Sequence, residues 1–262
     1  MINLAIALGV SILTMLVFSF MLGGGDFNGW YGILPALIAL VAVYLVLVRR
    51  TLKQVEAVMS RAQVEMTRAQ ESLMRLGKPP TEKQLKDAIM GSVKIIKEGY
   101  KYKRWQFLVE SQINAQVGTL LYAVKEFDGA EPYLRNAFLR NWMAQAMLAV
   151  THFRKKKYDE MKATFEAAVK ANKKEALLWS IYAWCLWKNS DREGAIAVLN
   201  RAKEHCKDER VEENLLNLQN NKKMKMSGWK ETWYQFHLAK PPAQKVQQSP
   251  FGGRISKKSV YR

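Results

Sequence analysis

The chain has 262 residues, 49% of them hydrophobic, and its 41 lysines and arginines outnumber 23 acids for a formal charge of +18. Residues 1–48 hold no Lys or Arg and a single acid, Asp26, so everything after Val48 carries an excess of +19. This segregation excludes a uniform soluble domain, and two cysteines are too few for the disulfide framework of a small secreted protein.

Ile2–Leu22 is an uncharged run, and it meets the roughly 20 apolar residues that a helix needs to cross the hydrocarbon core. The competing reading, a cleaved signal peptide, requires a basic start and a small-residue cleavage site. Neither is present: the run leaves through Met21-Leu22-Gly23, so a retained membrane helix is expected. A second run of similar length, Trp30–Val48, ends abruptly at Arg49-Arg50, with Pro35 near its start, where a missing N–H breaks few helical bonds. The intervening Gly23–Gly29 is short and turn-forming, so residues 1–48 are predicted to be a transmembrane hairpin (helices about 2–22 and 30–48), with the lipid bilayer as the first partner. Arg49, Arg50 and Lys53 flank the second helix while the hairpin loop has no positive charge, which predicts both termini on the cytoplasmic side. The expected location is an integral membrane protein, as in a bacterial inner membrane. No ionisable residue interrupts either run, which argues against an ion path.

The apolar spacing then changes. Leu52, Val55, Met59, Ala62, Met66, Ala69, Leu73 and Leu76 alternate three and four apart, a heptad seam over residues 49–76 that stops at Gly77-Lys78-Pro79-Pro80. Two readings fit this stalk: a coiled coil that self-associates through 49–76, or one amphipathic helix folded back on the rest of the chain. Thr81–Lys103 is predicted to be a further helix with Leu85, Ile89, Val93 and Ile96 on one face.

Internal repetition organises the remainder. Tyr158-Asp159-Glu160-Met161, Phe165 and Ala168 recur as Arg192-Glu193-Gly194-Ala195, Leu199 and Ala202, with the same displacement at each position. The preceding stretch repeats too: Leu148-Ala149 and His152 match Tyr182-Ala183 and Leu186, and Trp179 opens the later unit. An earlier copy reads Val117-Gly118 and Leu121 followed by Phe127-Asp128-Gly129-Ala130, Leu134 and Ala137, at a slightly shorter interval upstream. Small residues such as Gly118, Ala149 and Ala183 allow paired helices to approach closely. A single hairpin cannot bury its apolar face, so about three must stack.

This pattern resembles the tetratricopeptide repeat (TPR), over units of about 111–141, 142–175 and 176–209. The closing proline is missing from all three units, and the two later ones lack the Gly of the first helix. The fold expected is all-α: a transmembrane hairpin, a helical stalk, and an α-solenoid of TPR-like hairpins over 81–225. Glu209–Lys225 would cap it, followed by an aromatic segment (226–239) and a disordered basic tail (240–262). The resemblance implies a concave groove lined by the first helix of each unit. Its candidate partner-binding residues are Tyr122, Phe153, Arg154, Trp184, Trp187 and Lys188, with Tyr122, Phe153 and Trp187 at equivalent positions. The alternative is that these aromatics are covered by the chain itself, for which Trp229, Trp233, Tyr234 and Phe236 are candidates. The carboxylate-clamping set of some family members is absent.

The tail carries Lys240, Lys245, Arg254, Lys257, Lys258 and Arg262 and no acid, which fits a solvated end or contact with anionic lipid. No phosphate-binding glycine loop, zinc-protease or nucleophile motif occurs, no metal or cofactor is implied, and an enzyme is not expected. His152, at a position where the repeat favours Tyr, is expected to serve packing, and Cys185 to be a buried thiol. The leading expectation is a membrane-anchored scaffold that recruits an unidentified cytoplasmic protein or peptide. The alternative, less favoured for want of a nucleic-acid-binding motif, is a membrane-tethered nucleic-acid- or ribosome-associated protein using its basic excess.

Overall fold

The structure is a computed structural model that describes residues 1–23, 29–75 and 81–240. The described residues form eleven α-helices and two short 3-10 segments, with no strand. Leu76, the last residue of the heptad seam, and the tail beyond Lys240 lie outside the described residues. The chain divides into two units, residues 1–225 and 226 onward.

Helices α1 (Ile2–Leu22) and α2 (Gly29–Arg75) are both long and apolar enough to cross a membrane, and they pack on each other. Most of their large apolar side chains, including Leu13, Leu34 and Ile38, are exposed. The face between them is built from small residues. A Cβ added to Gly32 would stand 2.3 Å from the Met15 carbonyl oxygen and 2.4 Å from Ser19 Oγ, so only glycine permits this approach. One turn on, Ser11 Oγ donates to the Ala36 carbonyl at 2.9 Å. Close packing of small residues is the contact that joins helices wherever no hydrophobic force acts between them.

α2 is one uninterrupted helix of 47 residues, so the apolar run and the stalk are a single element. Nothing at Arg49-Arg50 breaks a helix, and the apolar stripe simply narrows there. That stripe packs within the chain: Val55, Val58 and Ala62 are buried, and α2 lies against α3 (Glu82–Lys97), whose Ile89, Val93 and Ile96 are buried. Ser92 Oγ donates to the Ala62 carbonyl at 3.1 Å. α3 begins at a capping box in which Thr81 Oγ1 accepts from Gln84 N–H and the Gln84 side chain accepts from Thr81 N–H. It ends earlier than expected, passing at Glu98 into a 3-10 turn to Tyr102, and Leu85 stays 37% exposed, off the packed face.

Three helix pairs follow: α4 (Val109–Ala123) with α5 (Phe127–Arg135), α6 (Trp142–Arg154) with α7 (Tyr158–Ala171), and α8 (Ala176–Lys188) with α9 (Arg192–His205). Each pair is joined by the same turn. Lys125, Lys156 and Ser190 adopt left-handed φ of 63°, 59° and 62°. The next N–H, of Glu126, Lys157 or Asp191, donates back to Leu121, His152 or Leu186 at 3.0, 2.9 and 2.9 Å. This is the six-to-one bond of a Schellman closure, which satisfies carbonyls that a helix end leaves orphaned. α10 (Glu209–Gln219) ends in a fourth copy, with Asn221 at φ 59° and Lys222 N–H bonded to Asn217 O at 2.7 Å. Asn214 then grips the exit: its Oδ1 accepts from Lys225 N–H at 2.6 Å and its Nδ2 donates to Lys225 O at 3.1 Å.

Within pairs, small residues set the distance. A Cβ on Gly118 would meet Leu134 Cδ2 at 2.7 Å, and Ala130, Ala149, Ala168, Ala183, Ala195 and Ala202 are fully buried. Between pairs, Phe165 stacks on Tyr182 at 4.8 Å, and Glu166 takes both Arg201 guanidinium nitrogens at 2.8 Å while accepting from Tyr182 Oη at 3.1 Å. Cys185 is buried, as expected, and Cys206 Sγ donates to Lys173 O at 3.0 Å; neither is disulfide-bonded.

The second unit contains a 3-10 turn, Ser227–Trp229, and α11 (Lys230–Tyr234), with Trp229, Trp233 and Phe236 buried.

Candidate functional site

A trough runs between α2 and α4. One cleft of about 620 Å³ is lined by Leu52, Val55, Glu56 and Met59 of α2, by Gln112, Ala115 and Gln116 of α4, and by Phe138, Arg140 and Asn141. A second, of about 450 Å³, continues along α2 as far as Met66 and along α4 to Leu120, and shares Glu56, Met59 and Gln116 with the first. Two expectations converge here: part of the stalk seam, and the groove face of the first repeat. The seam faces two ways. Val55 and Ala62 are buried in the chain, whereas Leu52 is 43% exposed and Met59, Met66, Ala69 and Leu73 are partly exposed. The heptad spacing is equally that of one helix packed on its neighbours, which is what α2 does against α3.

The aromatic line expected on the first helices is not a single open surface. Tyr122 is fully buried, with its ring edge-on to Phe127 at 5.0 Å. Its phenol is pushed up by burial, opposed by a hydrogen bond and charge from Arg154, whose guanidinium also lies 4.5 Å over Phe127. The groove position of Tyr122 is therefore corrected: the residue belongs to the core of the first pair. Trp184 is 9% exposed and meets Phe153 at 6.1 Å, and α8 is buried continuously from Leu177 to Leu186. Phe153 and Trp187 are partly exposed, while Arg154 and Lys188 are exposed. The Lys188 ammonium stands 4.6 Å over Trp187 and 5.4 Å over Trp184, within cation–π range. The six residues fall into two packed groups, Tyr122 with Arg154, and Phe153 with Trp184, Trp187 and Lys188.

A constellation that spacing along the chain does not reveal joins α5, α6 and α7. Glu131, His152 and Glu160 bring one ligand atom each to within 4.8 Å of one another. His152 is 2% exposed and its Nε2 has no hydrogen-bond partner. Glu131 is held at about 2, chiefly by the hydrogen bond from Lys155, then by Arg135 and nearby positive charge, against the opposing effect of burial. Only stacking of the pairs brings these three together, so no local motif marks them.

No protein-family model, curated protein or solved structure matches the chain.

Proposed function

We propose that this chain is a membrane-anchored scaffold whose TPR-like helix pairs, stacked as an α-solenoid, hold a cytoplasmic partner in the trough between α2 and α4. The observation that carries the reading is the physical continuity of α2, which runs without a break from the apolar hairpin into one wall of the trough. A partner seated there is held by the same helix that enters the lipid. The recurring turn at Lys125, Lys156, Ser190 and Asn221 supports the repeat reading, because it closes four helices at nearly equal intervals along the chain. The occupant is a partner's amphipathic helix with acidic flanks. Met59 and Met66 give the trough adaptable apolar contacts, and the +19 excess after Val48 attracts acid. In this arrangement both termini face the cytoplasm, and the acid-free basic sequence of the tail suits contact with anionic lipid.

The test is a photocrosslinking residue at Gln116, exposed in the trough, compared with one at Lys174, exposed elsewhere, in cells. A protein adduct specific to Gln116, resistant to nuclease and lost on Met59→Lys, supports the scaffold. Adducts that disappear with nuclease, together with binding that falls steeply with salt, move the function to nucleic acid.

A further inference from the structure

The Glu131–His152–Glu160 cluster is built to hold a cation at its centre. Thr164 Oγ1 spends its single proton on the Glu160 carbonyl at 2.7 Å, so across the 3.3 Å to His152 Nδ1 it is the ring that donates. In the neutral ring this leaves Nε2 as a bare lone pair. That lone pair faces Glu131 Oε1 at 3.7 Å and Glu160 Oε2 at 3.6 Å, too far for hydrogen bonds and mutually repulsive if nothing lies between. The other carboxylate oxygens are already engaged from outside. Glu131 Oε2 pairs with Lys155 Nζ at 2.6 Å, which also reaches Asp128, and Glu160 Oε1 pairs with Lys157 at 3.1 Å. The inner oxygens are left to the histidine and to Arg135, whose Nη2 stands 2.8 Å from Glu131 Oε1 and 3.7 Å from Glu160 Oε2.

Three ligand atoms around a tetrahedral ion with bonds of roughly 2.0–2.2 Å lie about 3.3–3.6 Å apart. The two nitrogen–oxygen separations here stand at or just above that spacing, and with all three ligand atoms within 4.8 Å of one another the carboxylate oxygens need only close on the ion as Arg135 leaves. A histidine that donates through Nδ1 and presents Nε2 has the orientation that metal-ligating imidazoles take. An imidazole with two carboxylates suits zinc-class ions, whereas calcium and magnesium favour oxygen-only shells.

We propose that His152 Nε2, Glu131 Oε1 and Glu160 Oε2 bind a divalent transition-metal ion of the zinc class, in the place that the Arg135 guanidinium otherwise takes. The cluster is balanced without metal: Asp128, Glu131 and Glu160 against Arg135, Lys155 and Lys157. The ion therefore enters by displacing Arg135, whose side chain is 56% exposed and free to turn into solvent. Because Glu131 sits on α5 and His152 and Glu160 on α6 and α7, the ion ties the first helix pair to the second.

The experiment is zinc titration by calorimetry of the full chain, purified in detergent and stripped with chelator, with magnesium as the control. The expected result is uptake of zinc but not magnesium, and a rise in the unfolding temperature with zinc. Affinity should fall by more than about tenfold in His152→Gln and Glu160→Gln, fall by about tenfold in Thr164→Val, and rise in Arg135→Gln, where the competing cation is gone. Glu160 is on the surface, so Glu160→Gln decides the matter even if His152→Gln does not fold. Zinc uptake that is unchanged in Glu160→Gln places the ion elsewhere, for example at Cys206, and overturns the site. Absence of uptake by the wild type overturns it as well, whether or not Arg135→Gln binds.

Discussion

Asn3 Nδ2 donates to Thr51 Oγ1 at 2.9 Å, joining the first turn of α1 to α2 at the point where α2 changes from apolar to charged. Both side chains are buried, at 1% and 5% exposure, and Thr51 passes its own proton to the Leu47 carbonyl at 3.0 Å. Beside them Ile2 N–H and Asn3 N–H donate to the carbonyls of Arg104 and Trp105 at 2.9 and 3.3 Å. The start of α1, the boundary of α2 and the segment before α4 are thus locked together, which sets the register of the apolar hairpin against the domain that follows. Thr51→Val removes the acceptor and leaves a buried amide with fewer partners. It should lower unfolding stability by about 1–3 kcal/mol in detergent, measured by denaturant titration, and an unchanged midpoint would show that the bond does not hold the register.

The small-residue contact between α1 and α2 makes a paired prediction. Gly32→Val puts side-chain atoms where Met15 O and Ser19 Oγ already are, whereas a Cβ on Gly9 meets nothing within 4 Å. Disulfide crosslinking between cysteines placed on the two helices should collapse for Gly32→Val and persist for Gly9→Val. Equal yields would mean that the hairpin does not rely on close approach.

Lys156 closes the second pair at φ 59°, a left-handed backbone that costs a non-glycine residue on the order of 1 kcal/mol. Its side chain is exposed, so Lys156→Gly removes the strain without opening a cavity. The unfolding temperature should rise, by the equivalent of about 0.5–1 kcal/mol after the entropy that glycine adds to the unfolded chain. A fall would indicate that the lysine makes a contact outweighing its backbone.

These turns show what the sequence carries and what it does not. The apolar period and the shift shared by the two later copies anticipated an all-helical chain, in which α6 starts at Trp142 and α8 at Ala176. The role of Gly118 as a close-approach residue was also legible, because only a small side chain fits opposite Leu134. The left-handed turns were not, since Lys, Lys, Ser and Asn stand where glycine would have announced them. The candidate site was legible by halves. Heptad spacing marks which face of α2 is apolar but not whether a second copy, α3 or a trough takes it. Aromatic positions at equal repeat offsets marked Tyr122, Phe153 and Trp187, yet burial depends on neighbours far along the chain and divides them. The repeat alone suggested nothing beyond packing for His152; Glu131 and Glu160 lie on the helices before and after its own and meet it only through stacking.

Glu166 gives a pH dependence. Its carboxyl is held below the ordinary range, first by hydrogen bonds from Arg201, against burial, and then by Tyr182 and the Arg201 charge. A group depressed in the folded state contributes stability above its unfolded pKa of about 4.3, and that contribution disappears as pH falls through the folded value. Thermal stability should therefore drop on acidification below about pH 4.5, and Glu166→Gln should lose part of that dependence while being less stable at pH 7. An identical acid limb in the variant would remove the α7–α9 pair from the account.

Trp184 and Met59 separate covered aromatics from an open trough. Trp184 is 9% exposed on a helix buried from Leu177 to Leu186 and packs edge-on against Phe153, so Trp184→Ala leaves a cavity. The expected loss is roughly 3–5 kcal/mol of stability, seen as a large fall in unfolding temperature. Met59 is only partly buried and lines both clefts of the trough. A lysine there can lay its stem on the same surface and raise its ammonium into solvent, so Met59→Lys should leave the unfolding temperature within a few degrees. What it changes is the trough: an apolar anchor is replaced by a charge, which should weaken capture of an amphipathic partner at the Gln116 photocrosslinker by about tenfold, or about 1.4 kcal/mol. If instead Trp184→Ala keeps its stability and loses the partner, the aromatic row is the open face and the trough is not the site.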